Sequence, residues 1–320
     1  MRTSKTQAFV RVLFVVFITV TILLLPAAAR AQADKMSRKG GEVTILVTVK
    51  PHNERTRLIA ERLQPTDFAV LENKHPQEII SVRKADTEQL ELAVLIQDDL
   101  VGRVNNELDG IRDFILSLPE GSKVMTGYLT AGTIQVRQAF TDDRERAAKS
   151  LRIILSSSAG TPYNPYSEVI EAIGKFPPER TGRRMILLVS DGLDISRGFR
   201  SASPMMSVDL DRAILAAQRS GISVFTYYAP SVGLTSRSRM AVNFGQGSLL
   251  RIADETGGEA FFSGTDFVSF APYFREMNQL MGNQWLITYR SDSTGKDFRK
   301  IEVTTDFDVD LQYPFGYSVK

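Results

Sequence analysis

The side chains able to do chemistry in this 320-residue sequence are carboxylates and hydroxyls rather than imidazoles or thiols. Cysteine is absent, which excludes disulfides, a lipid-modified N-terminal cysteine, thiolate metal sites and thiol nucleophiles. The two histidines, His52 and His75, fall in the opening segment as turn residues, so no His-x-x-x-His zinc pair exists. Acidic residues instead close two strongly apolar runs. Leu92-Ala93-Val94-Leu95-Ile96 leads into Gln97-Asp98-Asp99, and Met185-Ile186-Leu187-Leu188-Val189-Ser190 leads into Asp191-Gly192-Leu193-Asp194. The second resembles the start of a calcium loop, but the later ligand positions do not follow. Gly182 to Arg184 and Gly257-Gly258 lack the context of a phosphate-binding loop.

These residues need elements to position them. Unbroken apolar runs alternating with amphipathic stretches indicate a parallel sheet buried on both faces. Strands are expected at 92–96, 123–129, 134–139, 185–189, 223–228 and 259–262. Helices are expected near 104–118, 143–155, 166–175, 209–220, 248–256 and 267–281. Gly221 and Gly257 stand where helix C-caps belong. Residues 91–282 thus read as a doubly wound, mostly parallel α/β domain. The flanks have a different texture. Strands at 42–50, 67–73 and 77–83 precede the domain, and strands at 284–290, 299–305 and 311–319 follow it, with no helices to cover them. Segments 32–90 and 283–320 are expected to pack together as one small β domain, since each alone is near the size where a core becomes marginal.

The N-terminus carries Arg2, Lys5 and Arg11, then an apolar run from Val12 to Leu25, then Pro26 and Ala27-Ala28-Ala29-Arg30-Ala31. This is the order of a secretory signal over residues 1–31, cleaved after Ala31; the alternative is an uncleaved anchor, the one route to a membrane. Export to the periplasm or the medium follows. The balance of 39 basic against 37 acidic residues gives a formal charge of +2, without the concentrated basic face that nucleic acid requires.

The run ending at Asp98, the later Gly160-Thr161, and the run ending at Asp191-Gly192 resemble, in order and spacing, the von Willebrand factor type A (VWA) domain. The flanks are similar to an exported bacterial VWA-related subgroup of the acidobacterial type. There a Leu-x-x-x-Asp-Phe segment precedes the domain, as Leu63 to Phe68 does here. An Arg-Lys-Ile-x-Val segment and a terminal Gly-Tyr follow it, as Arg299 to Val303 and Gly316-Tyr317 do. The resemblance implies a Rossmann-like fold with a metal-ion-dependent adhesion site at the carboxyl ends of the strands. It carries Asp98, Thr161 and Asp191 over as metal ligands. The family's Asp-x-Ser-x-Ser is here Asp98-Asp99-Leu100-Val101-Gly102, so Leu100 and Gly102 replace both serines. The expected cofactor is therefore Mg²⁺, or Mn²⁺ or Ca²⁺, held weakly or not at all, and Arg103 would compete with a cation electrostatically. The alternative is that Asp98 and Asp191 accept backbone N–H groups at strand-to-helix turns.

Other residues bear on binding. Residues 229–246, with Arg237 and Arg239, read as a long loop on the crevice side of the sheet. Tyr163 lies beside Thr161, and tyrosine gives large contact area at low entropic cost. Asp99, Tyr163, Asp194, Arg237 and Arg239 are the candidate partner contacts, while Trp285 reads as core. The function expected is recognition of a protein ligand or a cell surface through the crevice. The alternatives are a structural or assembly scaffold without metal and, with less support, a metal-assisted hydrolase.

Overall fold

The structure is a computed structural model describing residues 41–53, 56–58, 62–157, 164–179, 182–262, 264, 269–293 and 297–318. The signal segment at 1–31, Thr161 and Tyr163 lie outside the described residues.

The opening strands are β1 (Glu42–Pro51), β2 (Phe68–Glu72) and β3 (His75–Lys84). Asn73 and Lys74 turn the β2–β3 hairpin with φ of 51° and 69°, the primed-turn geometry that suits the twist of paired strands. The α/β body follows in chain order: β4 (Leu90–Gln97), α1 (Leu108–Ser117), β5 (Lys123–Thr130), β6 (Thr133–Thr141), α2 (Arg144–Lys149), α3 (Pro165–Ile173), β7 (Arg183–Ser190), α4 (Val208–Ser220), β8 (Ser223–Tyr228), α5 (Arg239–Thr256), β9 (Ala260–Phe261) and α6 (Ala271–Gly282). The chain closes with β10 (Gln284–Arg290), β11 (Phe298–Thr305), β12 (Val309–Gln312) and β13 (Gly316–Ser318).

The body's sheet runs β6-β5-β4-β7-β8-β9, parallel except for the β5–β6 hairpin. That order, with its reversal between β4 and β7, is the doubly wound arrangement expected of a VWA-type fold. All eight residues of β4 are buried, which accounts for its continuous apolar run. Leu92, Val94 and Ile96 join a core with α1, α2 and α6 on one face, while Ala93 and Leu95 join one with α3, α4 and α5 on the other. Gly221 and Gly257 end α4 and α5 in the left-handed region, as C-caps do.

The terminal strands form a second sheet, antiparallel throughout, in the order β12-β1-β10-β3-β2-β11-β13. It interleaves the two ends of the chain, the flanking β domain that the sequence led us to expect. Its alternate positions, among them Val47, Val70, Trp285, Ile287 and Ile301, form one core. Glu72 sits inside it, accepting hydrogen bonds from Tyr289 (3.0 Å), Tyr317 (2.8 Å) and Ser291 (2.9 Å), with Arg299 Nη1 at 3.6 Å. Burial pushes the Glu72 carboxyl up, but hydrogen bonds from Ser293, Tyr317, Ser291 and Tyr289 outweigh it and hold the group below its usual range. Arg299 and Tyr317, two of the flanking motif residues, therefore join four strands through one carboxylate.

Two helices differ from the sequence expectation. The helix read over 143–155 stops at Lys149, and 151–157 continues without helical structure. The helix read from 248 begins at Arg239, so the predicted 229–246 loop shrinks to 229–238. Gly245 and Gly247 lie inside α5, where its surface is crowded. A Cβ at 245 would meet Asp191 O at 2.0 Å, and one at 247 would meet Pro204 at 2.9 Å. Among the described residues no helix is long and apolar enough to cross a membrane.

Candidate functional site

The crevice lies beyond the carboxyl ends of β4, β7 and β8, where an open α/β sheet gathers its ligands. Asp98 follows β4 directly, and its backbone N–H donates to Leu129 O on β5. Its carboxylate, 2% exposed, is held by a guanidinium: Arg152 Nη1 donates to Oδ1 at 2.7 Å and Nη2 to Oδ2 at 2.9 Å. The Leu155 backbone N–H adds a third bond to Oδ1 at 3.1 Å. Arg152 is itself fixed on every side. It lies over the Tyr128 ring at 4.0 Å, donates to Gln135 at 2.9 Å, and its peptide N–H and C=O both pair with the Tyr128 hydroxyl. The hydrogen bond with Asp98 raises the guanidinium above its already high range. Because α2 stops at Lys149, the following segment can run across the strand ends and deliver this side chain.

Asp191, closing β7, is 3% exposed and equally committed. Its Oδ1 accepts from the Leu193 N–H at 3.1 Å and its Oδ2 from the Thr235 hydroxyl at 2.9 Å. Burial pushes its carboxyl up, against hydrogen bonds from Ser231, Leu193, Thr235 and Gln97. Gln97 ties the two strand ends together: its Oε1 accepts from Ser190 Oγ at 2.5 Å and from the Asp191 N–H at 3.1 Å, and its Nε2 donates to Asp99 Oδ1 at 2.7 Å. The loop after β4 is laced to the loop after β8 by Val101 N–H to Pro230 O, Val232 N–H to Asp99 O, and a bridge between Leu100 and Ser231.

These positions do not fit a hard divalent cation. Such an ion needs several convergent oxygens in near-octahedral array. Both Asp98 oxygens face Arg152, both Asp191 oxygens are engaged, and Leu100 points hydrocarbon into the core at 0% exposure. A Cβ at Gly102 would lie 3.7 Å from the Ser156 hydroxyl, so that serine stands near the missing ligand without belonging to the motif. Among the described residues no three His, Asp or Glu side chains come together as a metal group. Arg103 was expected to compete for the site; the cation at Asp98 is Arg152, which lies far from the motif in sequence.

Of the residues read as partner contacts, Asp99 and Asp194 are buried, at 0% and 4% exposed. Asp194 accepts from the Ser196 N–H and hydroxyl and from Ser207 Oγ, bracing the loop that leads to α4. Arg237 and Arg239 are exposed, at the rim. With Arg103 they line a cavity of about 320 Å³, whose other described walls are Val101, Pro230, Thr235, Ser236, Ser238 and Val242. A further buried acid escaped the sequence reading. Glu168 on α3, 1% exposed, accepts the Gly132 N–H at 3.1 Å, and burial pushes its carboxyl up to about 9. Its place in a polar-looking amphipathic turn gives no hint of this.

No family model matches the chain, and no curated protein does. Solved structures do. An aerotolerance-related membrane protein from Bacteroides fragilis, carrying multiple mutations to serines, is 16% identical over 60% of this chain and 98% of that one, with a TM-score of 0.43. BatB from Bacteroides thetaiotaomicron is 17% identical over 60% and 98%, with a TM-score of 0.42. The SpRpn10 VWA domain is 10% identical over 59% and 95%, with a TM-score of 0.39. Likenesses of this strength carry no function across. In strand order and helix placement, the α/β body has the doubly wound fold that the resemblance to VWA domains implies.

Proposed function

We propose that the chain is an exported recognition module that binds a protein partner through the crevice loops without a divalent cation. The observation carrying this reading is the two-pronged contact of Arg152 with Asp98. A fixed internal guanidinium supplies the positive charge that a metal would supply, and its planar fork matches both carboxylate oxygens. A partner then meets the rim formed by the loops after β4 and β8 rather than an open coordination position. The residue types and their geometry favour binding over turnover, since the crevice carboxylates are consumed by internal hydrogen bonds. Export rests on Arg2, Lys5, Arg11 and the apolar run that follows them.

Two measurements test this. Thermal unfolding of the full chain in chelator and in millimolar Mg²⁺, Mn²⁺ or Ca²⁺ is expected to give one midpoint throughout. A cation-dependent rise in the parent that Asp191→Ala abolishes would restore the metal model, because a ligand specific for the folded state raises the midpoint by mass action. A photo-crosslinking residue at Ser236 is expected to trap the same envelope or medium protein with and without chelator, and one at Glu302 in the flanking sheet to trap none. Equal trapping from both positions would remove the crevice as the binding face.

A further inference from the structure

The rim cavity points to a specific chemistry. Three cationic side chains, Arg103, Arg237 and Arg239, line it together with Ser236 and Ser238, and among the described residues no acid does. It opens at the start of α5, an 18-residue helix whose N-cap Ser238 takes the Ala241 N–H. The positive end of that helix dipole adds to the arginines. Its deeper wall is Val101, Pro230 and Val242, a surface that suits methylene groups rather than water. The two loops carrying the arginines are tied to each other by the Val101–Pro230 and Val232–Asp99 hydrogen bonds, which hold the cavity's two sides in register. Two crevice acids are committed elsewhere: Asp191 to Leu193 and Thr235, and Asp98 to Arg152.

We propose that this cavity is an oxyanion-binding site that receives a carboxylate or phosphate borne by the partner, held by Arg237 and Arg239 at the mouth of α5. The proposal rests on the recognition reading and gives it a ligand class. Guanidinium forks grip planar or tetrahedral oxyanions through paired N–H groups, and the apolar wall takes the chain that carries the anion.

Titration calorimetry of the full chain at low ionic strength with a tetraglutamate peptide and, separately, with inorganic phosphate tests it. One saturable site is expected, weakened about tenfold or more in Arg237→Ala/Arg239→Ala, as loss of charge-assisted hydrogen bonds implies. Arg237→Gln/Arg239→Gln serves as a second variant. A control pair of exposed arginines elsewhere, Arg146→Ala/Arg275→Ala, removes the same charge and is expected to leave affinity within about twofold. Tighter binding of tetraglutamate identifies a carboxylate source, and tighter binding of phosphate a phosphorylated one; either supports the site. Equal weakening in the control pair shows diffuse positive charge and overturns the proposal, as does the absence of binding by both probes. Such a result leaves cation-independent recognition standing, because the melting and crosslinking tests of that reading involve no free anion.

Discussion

Replacing Arg152 with alanine separates the internal-cation account from a decorative surface ion pair. The guanidinium gives Asp98 two of its three hydrogen bonds, at 2.7 and 2.9 Å, and removal leaves a carboxylate that is 2% exposed with the Leu155 N–H alone. Stranding one member of a buried pair costs about 3–5 kcal/mol. The Arg152 side chain is 23% exposed, so water can partly replace it, and the lower end, about 3 kcal/mol, applies. Asp98→Ala is milder, at about 1–2 kcal/mol, because the stranded guanidinium keeps Gln135, the Tyr128 ring and some solvent. The double variant should fall short of the sum by about 1–3 kcal/mol, the signature of coupled groups. Urea unfolding followed by far-ultraviolet circular dichroism reads the helices of the α/β body. Fluorescence of Trp285, the one tryptophan in the sequence, reads the flanking sheet. The circular dichroism midpoint should move first in Arg152→Ala. A loss below about 1 kcal/mol, or Asp98→Ala costing as much as Arg152→Ala, would refute the reasoning.

Glu168 gives a pH signature. Its carboxyl is raised to about 9 from an ordinary 4.5, so between those values the folded state keeps a proton that the unfolded state has released. The stability this contributes is complete below the unfolded value and is lost as pH rises toward 9, by up to about 1.4 kcal/mol per unit. Glu168→Gln should flatten the profile across that window and melt above the parent at pH 8; an unchanged slope would place the carboxyl in contact with water. Gly245→Ala should lose about 1–3 kcal/mol, because its methyl would press on the Asp191 carbonyl at 2.0 Å. A neutral result by the same urea assay would mean that α5 can back away from β7. Arg299→Ala should lose about 1–3 kcal/mol with the Trp285 signal leading, since it leaves the buried Glu72 carboxylate with its hydroxyl partners and without the guanidinium. A shift in circular dichroism ahead of fluorescence would contradict that assignment.

The layered fold was legible because its determinants are local. Continuous apolar runs, turn glycines and helix caps each sit where the body's strands and helices begin and end. The partnership of the two ends was legible from size alone, as neither piece could cover its own apolar face. What escaped depends on distance in sequence. Arg152 is 54 residues from Asp98 and lies in a stretch whose Leu151 and Ile154 spacing mimics a helix, so nothing local marks it as the crevice cation. The start of α5 was read as loop because Gly245 and Gly247 carry a conformational cost in a helix, while the crowded surface that requires them is invisible in sequence. The aspartates read as partner contacts were placed correctly at the strand ends but are turned inward, toward Gln97 and Ser207. Among the described candidates, Arg237 and Arg239 reach the rim.

The interleaved sheet has a consequence for how the chain is made. Both neighbours of β1 are late arrivals: Val47 lies against Trp285, and Val49 against Leu311. A polypeptide emerging from its N-terminus can complete the α/β body and the β2–β3 hairpin while β1, rich in β-branched residues, still has no strand to pair with. An unpaired strand of that kind is a template for the wrong chain. Synthesis that halts before residue 284 therefore yields a finished-looking body with a sticky arm, and the arm is buried only when the last strands arrive. In that sense β1 registers whether the strands from residue 284 onward have been made, paired once they are present and unpaired in a chain that stops before them.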